Sequence, residues 1–327
     1  MSKTDVVKVG FVGVGGIAGV HLKYLAKAAD AKIAAVCDVN AAQADTIATQ
    51  YGAKAYGSVE KMLDTEKLDA VYICVPPFAH TNQELLVCER KLALFVEKPI
   101  ATTLEKGQEI ANAVAKAKNV SAVGYNWRST DITKAAREVI KGKPVSAAYG
   151  YWVGNMPGVM WWRQQAQSGG QLNEQATHVV DIARHLIGGR VVSVFAQGSK
   201  GIYNKKHEKH DIHENVIALL TFDNGAVCSV ATGHTCAQGF RVGIDFVLED
   251  LTVTHNYGEL RVKHPKGEEV VRNINDAYAE EDRAFLDAIK SGDPSKVYCS
   301  YADAFETHKI CMAANASMES GRVVKLD

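Results

Sequence analysis

The sequence predicts an α/β chain. Its first part is a doubly wound parallel sheet, and its second part combines helices with a mainly antiparallel sheet. Three observations carry this reading. Short runs rich in β-branched residues alternate with helix-period stretches through the first 125 residues, a glycine-rich turn joins the first such run to the first helix, and beyond residue 126 strand-like runs follow one another with only tight turns between them. Continuous apolar strands alternating with helices need cover on both faces, as parallel sheets do, whereas tight turns join antiparallel neighbours. The 327 residues allow two such cores, read here as 1–125 and 126–327.

The elements follow in order. Residues 7–12 form the first strand, a glycine cluster turns the chain, and an apolar-periodic helix runs to Ala29. The rhythm repeats at 33–37 with 41–51, 70–75 with 81–90 and 92–96 with 104–118, and closes at 120–125. In the second part strands are expected at 145–152, 191–197, 215–222, 226–232, 241–248, 251–255, 260–263 and 269–272, separated by turn signals such as Asp223-Asn224-Gly225 and Pro265-Lys266-Gly267. Helices return at 276–291 and 300–320, split by Gly292-Asp293-Pro294.

Composition narrows the class of function. The 37 Lys and Arg balance 37 Asp and Glu, whereas a chain that binds nucleic acid or an anionic membrane usually carries a basic excess. An apolar content of 47% without net charge argues against disorder. No run approaches the ~18 consecutive apolar residues of a spanning helix, and the first ten residues lack the apolar stretch of a signal peptide. The seven cysteines, at 37, 74, 88, 228, 236, 299 and 311, contain no C-x-x-C pair. They read as reduced thiols of a cytoplasmic protein.

Chemistry concentrates at a few positions. Gly13-Val14-Gly15-Gly16-Ile17-Ala18 follows the first strand and opens the first helix. Such glycines let the backbone turn tightly and approach a pyrophosphate, whose charge meets the free N–H groups of the helix start. Asp38 ends the second strand at the ~20-residue spacing at which a carboxylate accepts the hydroxyls of an adenosine ribose. It would repel a 2′-phosphate, and Val39 and Asn40 offer no compensating cation, so NAD is expected rather than NADP. Val75, Pro76, Pro77 and His80 follow the strand at 70–75, and Glu97 and Lys98 follow that at 92–96. Ligands of open α/β sheets sit beyond the carboxyl ends of the strands, so these residues are expected to border the cofactor. Beside a nicotinamide ring, the Lys98 ammonium would hydrogen-bond a substrate hydroxyl as its oxygen becomes carbonyl-like. The plainer alternative is a strand-end charge pair with Glu97, although neighbours in extended chain point to opposite faces.

Gly169-Gly170-Gln171-Leu172-Asn173-Glu174-Gln175-Ala176-Thr177-His178 runs from a glycine turn into a helix expected to end at Gly188-Gly189. The spacing places Glu174, His178 and Asp181 on one face. Imidazole titrates near neutrality and suits the acceptance of a hydroxyl proton, while Glu174 would orient that ring or bind a neighbouring hydroxyl. The same three side chains could ligate a metal, which the chemistry does not require. His207, His210 and His213 recur at three-residue intervals in a polar stretch between two strands, read as a solvated loop rather than a metal site.

The 13–18 loop, the Glu97-Lys98-Pro99 signature and the Gly169-Gly170-x-Leu172-x-Glu174-x-Ala176-x-His178-x-x-Asp181 pattern together resemble the Gfo/Idh/MocA oxidoreductases. The resemblance extends to the closing Ser317-x-x-Ser320-Gly321-Arg322-x-Val324. It implies a Rossmann domain plus an α/β domain with a large open antiparallel sheet, whose exposed face commonly builds dimers or tetramers. It also implies oxidation or reduction of a sugar, polyol or related ring, with Lys98 and His178 as the catalytic lysine and histidine. The acid before that histidine is most often Asp in the family, and here it is Glu174. For the substrate, the candidates are Tyr125, Asn126, Arg128, Trp162 and Arg163, within a stretch that holds all four tryptophans. Flat aromatic faces stack on a pyranose and Arg donors bind its hydroxyls, although the same clustering also marks a core or a subunit interface. Two other functions stay open from residues alone: glycoside cleavage through transient oxidation with recycled NAD, and non-enzymatic sensing of the dinucleotide.

Overall fold

The computed structural model describes residues 6–236 and 241–326. Its first sheet is made of β1 (Val7–Val12), β2 (Ala31–Cys37), β3 (Lys54–Tyr56), β4 (Ala70–Ile73), β5 (Ala93–Val96) and β6 (Ser121–Val123). These pair in parallel in the order β3-β2-β1-β4-β5-β6. Between them run α1 (Gly16–Leu25), α2 (Ala41–Tyr51), α3 (Val59–Thr65), α4 (Gln83–Glu89) and α5 (Leu104–Ala117). Every residue of β4 and β5 is buried, as central strands covered on both faces require. Local chemistry sets the helix ends. The Asn40 side chain accepts the Gln43 N–H at the start of α2, and Gly52 closes it at φ +65°.

The second part opens with α6 (Asp131–Ile140) and β7 (Ala147–Val153), then α7 (Gln165–Ser168), α8 (Gln171–Glu174) and α9 (Thr177–Ile187). Seven strands follow: β8 (Val191–Ser199), β9 (Asn215–Phe222), β10 (Val227–Gly233), β11 (Arg241–Val247), β12 (Thr252–Asn256), β13 (Glu259–His264) and β14 (Gly267–Arg272). Helices α10 (Ala277–Ser291) and α11 (Tyr301–Ser320) and the short β15 (Val324–Lys325) complete the chain. The second sheet has the order β14-β13-β12-β11-β7-β10-β9-β8-β15. All its pairs are antiparallel except β7 with β10, which the tight turns in the sequence do not reveal.

The chain divides into two compact units. The first holds the described residues to Ile100, Glu105–Asn126 and Asp276–Phe305; the second holds Ala101–Leu104, Trp127–Asn275 and the described residues from Glu306. Where the sequence reading draws one boundary at 125/126, α10 thus belongs to the first unit. There Phe285 packs edge-on against Tyr72 and Phe95. In the second unit the inward residues of β9, Val216, Ala218, Leu220 and Phe222, join Val179, Val180, Ile182 and Ala183 of α9 in one core. Each fully buried Val, Ile, Leu or Phe among them contributes roughly 1.5–3 kcal/mol. All seven cysteines are free thiols, and among the described residues no helix is long and apolar enough to cross a membrane.

Candidate active site

Gly13 has φ +80°, and a Cβ there would stand 2.6 Å from the Cys74 carbonyl oxygen. Only glycine lets β1 turn against β4 this closely. Gly15 caps α1 without any side-chain hydrogen bond, and a Cβ at Gly15 or Gly16 would meet nothing within 4 Å. The first turn of α1 therefore faces open space with its N–H groups, the cradle a pyrophosphate needs. Ile17 is half-buried and Ala18 buried, seating the helix on the sheet. The Asp38 carboxylate is held in place from two sides, by the Val14 N–H at 2.9 Å and the Asn40 N–H at 2.8 Å. This donor and acceptor set fits a dinucleotide.

Val75, Pro76 and Pro77 follow β4, with Pro77–Ala79 forming a single 3-10 turn. His80 is buried and bonds through Nδ1 to Glu84, one turn along on α4. Lys98 is partly exposed just after β5, and Glu97 beside it is buried. The Oε2 of Glu97 accepts the Lys98 backbone N–H at 3.0 Å, so the bond between these neighbours involves the lysine's main chain. Tyr125 and Asn126 are buried beyond β6.

In the second unit the expected single helix is interrupted. The Ala176 N–H reaches back five residues to the Gln171 carbonyl, and the Val179 N–H only three, to Ala176. The wide turn followed by a tight one separates α8 from α9. A regular helix face shared by Glu174, His178 and Asp181 is thereby corrected. Instead, Glu174 accepts a hydrogen bond from the Trp162 indole Nε1. The His178 ring, 7% exposed, stacks with Trp127 at 8° and 5.8 Å and with Trp152 at 20° and 6.1 Å. Asp181 receives Arg128 in a buried fork, Nε at 2.7 Å and Nη2 at 2.6 Å, and the Thr307 hydroxyl at 3.0 Å. Arg128 is only 4% exposed and Trp162 1%. Arg163 is half-buried, and its carbonyl accepts the Asp211 N–H at 3.1 Å.

The three histidines of the 204–213 stretch go to different places. His210 is buried, with Nε2 2.8 Å from Nε2 of His234, whose Nδ1 meets Gln171 at 3.0 Å. His207 packs edge-on against Tyr203, and the His213 ring lies over Gly198. Burial lowers the pKa of His210, and burial together with His210 brings His234 down to about 4, so this pair is neutral near pH 7. The loop is tied by Glu214. Burial alone would raise its pKa, but N–H groups of residues 201–204 overcome this and lower it. The sequence reading did not single out His234 or Gln171, which the fold brings to His210 from just beyond β10 and from α8. It also passed over His21. One signal was available, because His21 shares the buried stripe of α1 with Ala18, Leu22 and Leu25, where a histidine needs partners.

A family profile described as "Oxidoreductase family, NAD-binding Rossmann fold" matches residues 7–125, and the GFO/IDH/MocA C-terminal domain matches residues 134–253. Together they span most of the chain. It belongs to the Gfo/Idh/MocA oxidoreductase family. The first unit of this oxidoreductase carries the NAD-binding Rossmann fold. The chain is similar to myo-inositol 2-dehydrogenase of Thermotoga maritima, 24% identical over 338 residues that cover 98% of this chain and 99% of the relative. It is likewise similar to the NAD-dependent scyllo-inositol 2-dehydrogenase of Bacillus subtilis, 24% identical over 98% of this chain and 96% of the relative. Among solved structures, levoglucosan dehydrogenase in complex with NADH and levoglucosan shares the fold, with a TM-score of 0.85 at 22% identity over 98% of this chain and 99% of that one.

Proposed function

We propose that this Gfo/Idh/MocA oxidoreductase transfers hydride between NAD and a secondary alcohol of a sugar or cyclic polyol. The observation that carries this reading is the pair of acid–base side chains in the second unit held by tryptophans, His178 stacked with Trp127 and Trp152 and Glu174 bonded to Trp162. A proton acceptor works when its ring is fixed and its partner donor is close. The inositol and levoglucosan dehydrogenases among the similar proteins support a ring substrate. Bound NAD supplies the hydride acceptor. His178 takes the hydroxyl proton, and Lys98 hydrogen-bonds the oxygen as its bond to carbon gains double-bond character. Glu174 and Arg163 bind neighbouring hydroxyls. Asp38, fixed by two backbone N–H groups with no adjacent cation, favours NAD over NADP.

Two further readings belong with this proposal. Free thiols suit a reducing compartment and support a cytoplasmic location. The outer face of the second sheet carries exposed Phe195, Leu219 and Tyr149, with half-buried Ser229 between the last two, in one row across β8, β9, β10 and β7. An apolar row of this kind suits burial against a second copy in a homodimer or homotetramer.

The test is a panel of inositols, hexoses and glycosides with NAD, followed by NADH absorbance. Accumulating NADH with one of them supports the dehydrogenase. Product release without net NADH would replace it with glycoside cleavage. Lys98→Met is expected to lower turnover at least about 100-fold while NAD binding persists. Full turnover in that variant would remove Lys98 from the mechanism.

A further inference from the structure

Below the glycine loop the first unit buries more ionisable groups than its core chemistry needs. His21 from α1 bonds through Nδ1 to Asp282 Oδ1 at 2.8 Å and through Nε2 to Glu97 Oε1 at 2.9 Å. The Tyr72 hydroxyl donates to the same Asp282 oxygen at 3.0 Å. Glu281 lies beside them, close enough for one of its oxygens to fall within 4.8 Å of ligand atoms on His21 and Glu97. The imidazole is fully buried and flanked by the rings of Phe95 and Tyr278, so its orientation is fixed. The Glu97 carboxylate has a space made for it, since a Cβ at Gly124 would stand 2.5 Å from Oε1. Its second oxygen accepts the Lys98 backbone N–H.

We propose that His21 is a positioning residue for Lys98: by bridging Asp282 and Glu97 it fixes the Glu97 carboxylate, which holds the peptide N–H of the residue from which the lysine side chain projects. This rests on the assignment of Lys98 to the reaction above. With a carboxylate at each ring nitrogen, both nitrogens must carry hydrogen and no lone pair is left for a cation, so the cluster is built around a proton rather than a metal. The charge balance agrees. Burial alone would lower the pKa of His21, but Asp282 and Glu97, through charge and hydrogen bonds, raise it well above its ordinary value. Burial, reinforced by Glu97 and Asp282 against the pull of His21, raises the pKa of Glu281 well above its ordinary value, and burial likewise raises that of Asp282 against the charge and hydrogen bond of His21. Tyr72, Cys74, Glu97, Tyr278, Glu281 and Asp282 are the titratable groups around the ring. Tyr72 and Cys74 are held in their neutral forms, chiefly by burial.

A double-mutant cycle on the full chain tests this, using NAD and myo-inositol or the panel member that turns over. His21→Gln is expected to lower kcat about 10- to 100-fold, the cost of misplacing a reacting group by a fraction of an ångström to an ångström, with NAD affinity by fluorescence titration unchanged. Lys98→Met with His21→Gln should be no slower than Lys98→Met alone. A readout independent of turnover is the difference in Tm between the native chain and His21→Gln. A raised histidine pKa stabilises fully below the ordinary value of 6.5 and loses that contribution as pH rises through the folded value, so the gap should shrink in alkali. A kcat within about twofold of the native chain, multiplicative losses in the double variant, or activity abolished by EDTA would overturn the proposal. If Lys98→Met itself keeps turnover, the assignment of Lys98 fails and the positioning role with it; if Lys98→Met is inactive while His21→Gln is fully active, only the positioning role fails. Should His21→Gln not fold, Asp282→Asn, which keeps the side-chain shape, enters the same cycle with the same deciding outcomes.

Discussion

Replacing Arg128 by Leu should destabilise the second unit more than the loss of any exposed charge. The guanidinium and Asp181 are both buried and share a forked pair of hydrogen bonds, so the variant leaves a carboxylate without its counter-ion in the core. Breaking such a pair costs about 3–5 kcal/mol. Denaturant unfolding of Arg128→Leu should show this loss, and adding Asp181→Leu should recover much of it; an unchanged midpoint in the single variant would show that the pair contributes nothing. The same pair shows what a sequence leaves out at this scale. Arg128 beside Tyr125 and Trp127 reads as a hydroxyl-binding group, because nothing local announces a partner 53 positions away. Trp162 reads as a stacking face for a substrate, and nothing local announces that its indole donates to Glu174. By contrast Gly13 and Asp38 were legible, because the strand, turn and helix that place them are contiguous in sequence.

Regular elements declared themselves where their period and caps were strong. The β1 to α2 succession follows its continuous apolar strands and helix periods closely, and β9, β10, β12 and β13 follow an alternation of buried and outward residues. What escaped was short or irregular. Strand β3 has three residues, of which Lys54 is exposed and none is buried, so it carries no apolar run, and α3 beside it is only seven residues long. The break between α8 and α9 depends on two carbonyls, that of Gln171 accepting from five residues ahead and that of Ala176 from three, which no period reveals. At the first turn of α1 the element makes a sharp contrast testable. Gly13→Ala puts a methyl 2.6 Å from a backbone oxygen at a φ of +80°, so it should lower Tm, at a cost of about 1–3 kcal/mol, and weaken NAD binding as well. Gly15→Ala meets nothing within 4 Å, so it should keep stability within about 1 kcal/mol and weaken NAD binding alone, by intruding on the space for the pyrophosphate. Calorimetric titration of NAD and thermal unfolding of both variants check the pair. Equal Tm losses would show that the loop is not held against β4 as described.

For the molecule as a whole, the two units each bury a histidine, His21 and His255, with pKa values shifted in opposite directions. The first keeps His21 charged between carboxylates. The second keeps His255 neutral: burial brings it down to about 4, with its Nε2 2.8 Å from the Thr133 hydroxyl and its ring stacked on Trp127. Acid therefore acts differently on each. A histidine whose folded pKa is depressed is matched to the unfolded chain above the ordinary value of 6.5. Below it the unfolded chain binds a proton that the folded chain refuses, and stability falls until the folded value is reached. The full difference for a fully buried ring is of order 3 kcal/mol. The slope of Tm between pH 7 and pH 5 should accordingly be shallower in His255→Gln than in the native chain, even though the variant starts from a lower Tm through the lost contact with Thr133. His21→Gln should show the reverse, with a steeper fall than the native chain over the same interval, because it lacks the group that gains in acid. Parallel slopes for the native chain and His255→Gln would mean that the His255 ring takes up its proton in the folded state as readily as in the unfolded one. The His255 ring would then be open to water rather than enclosed.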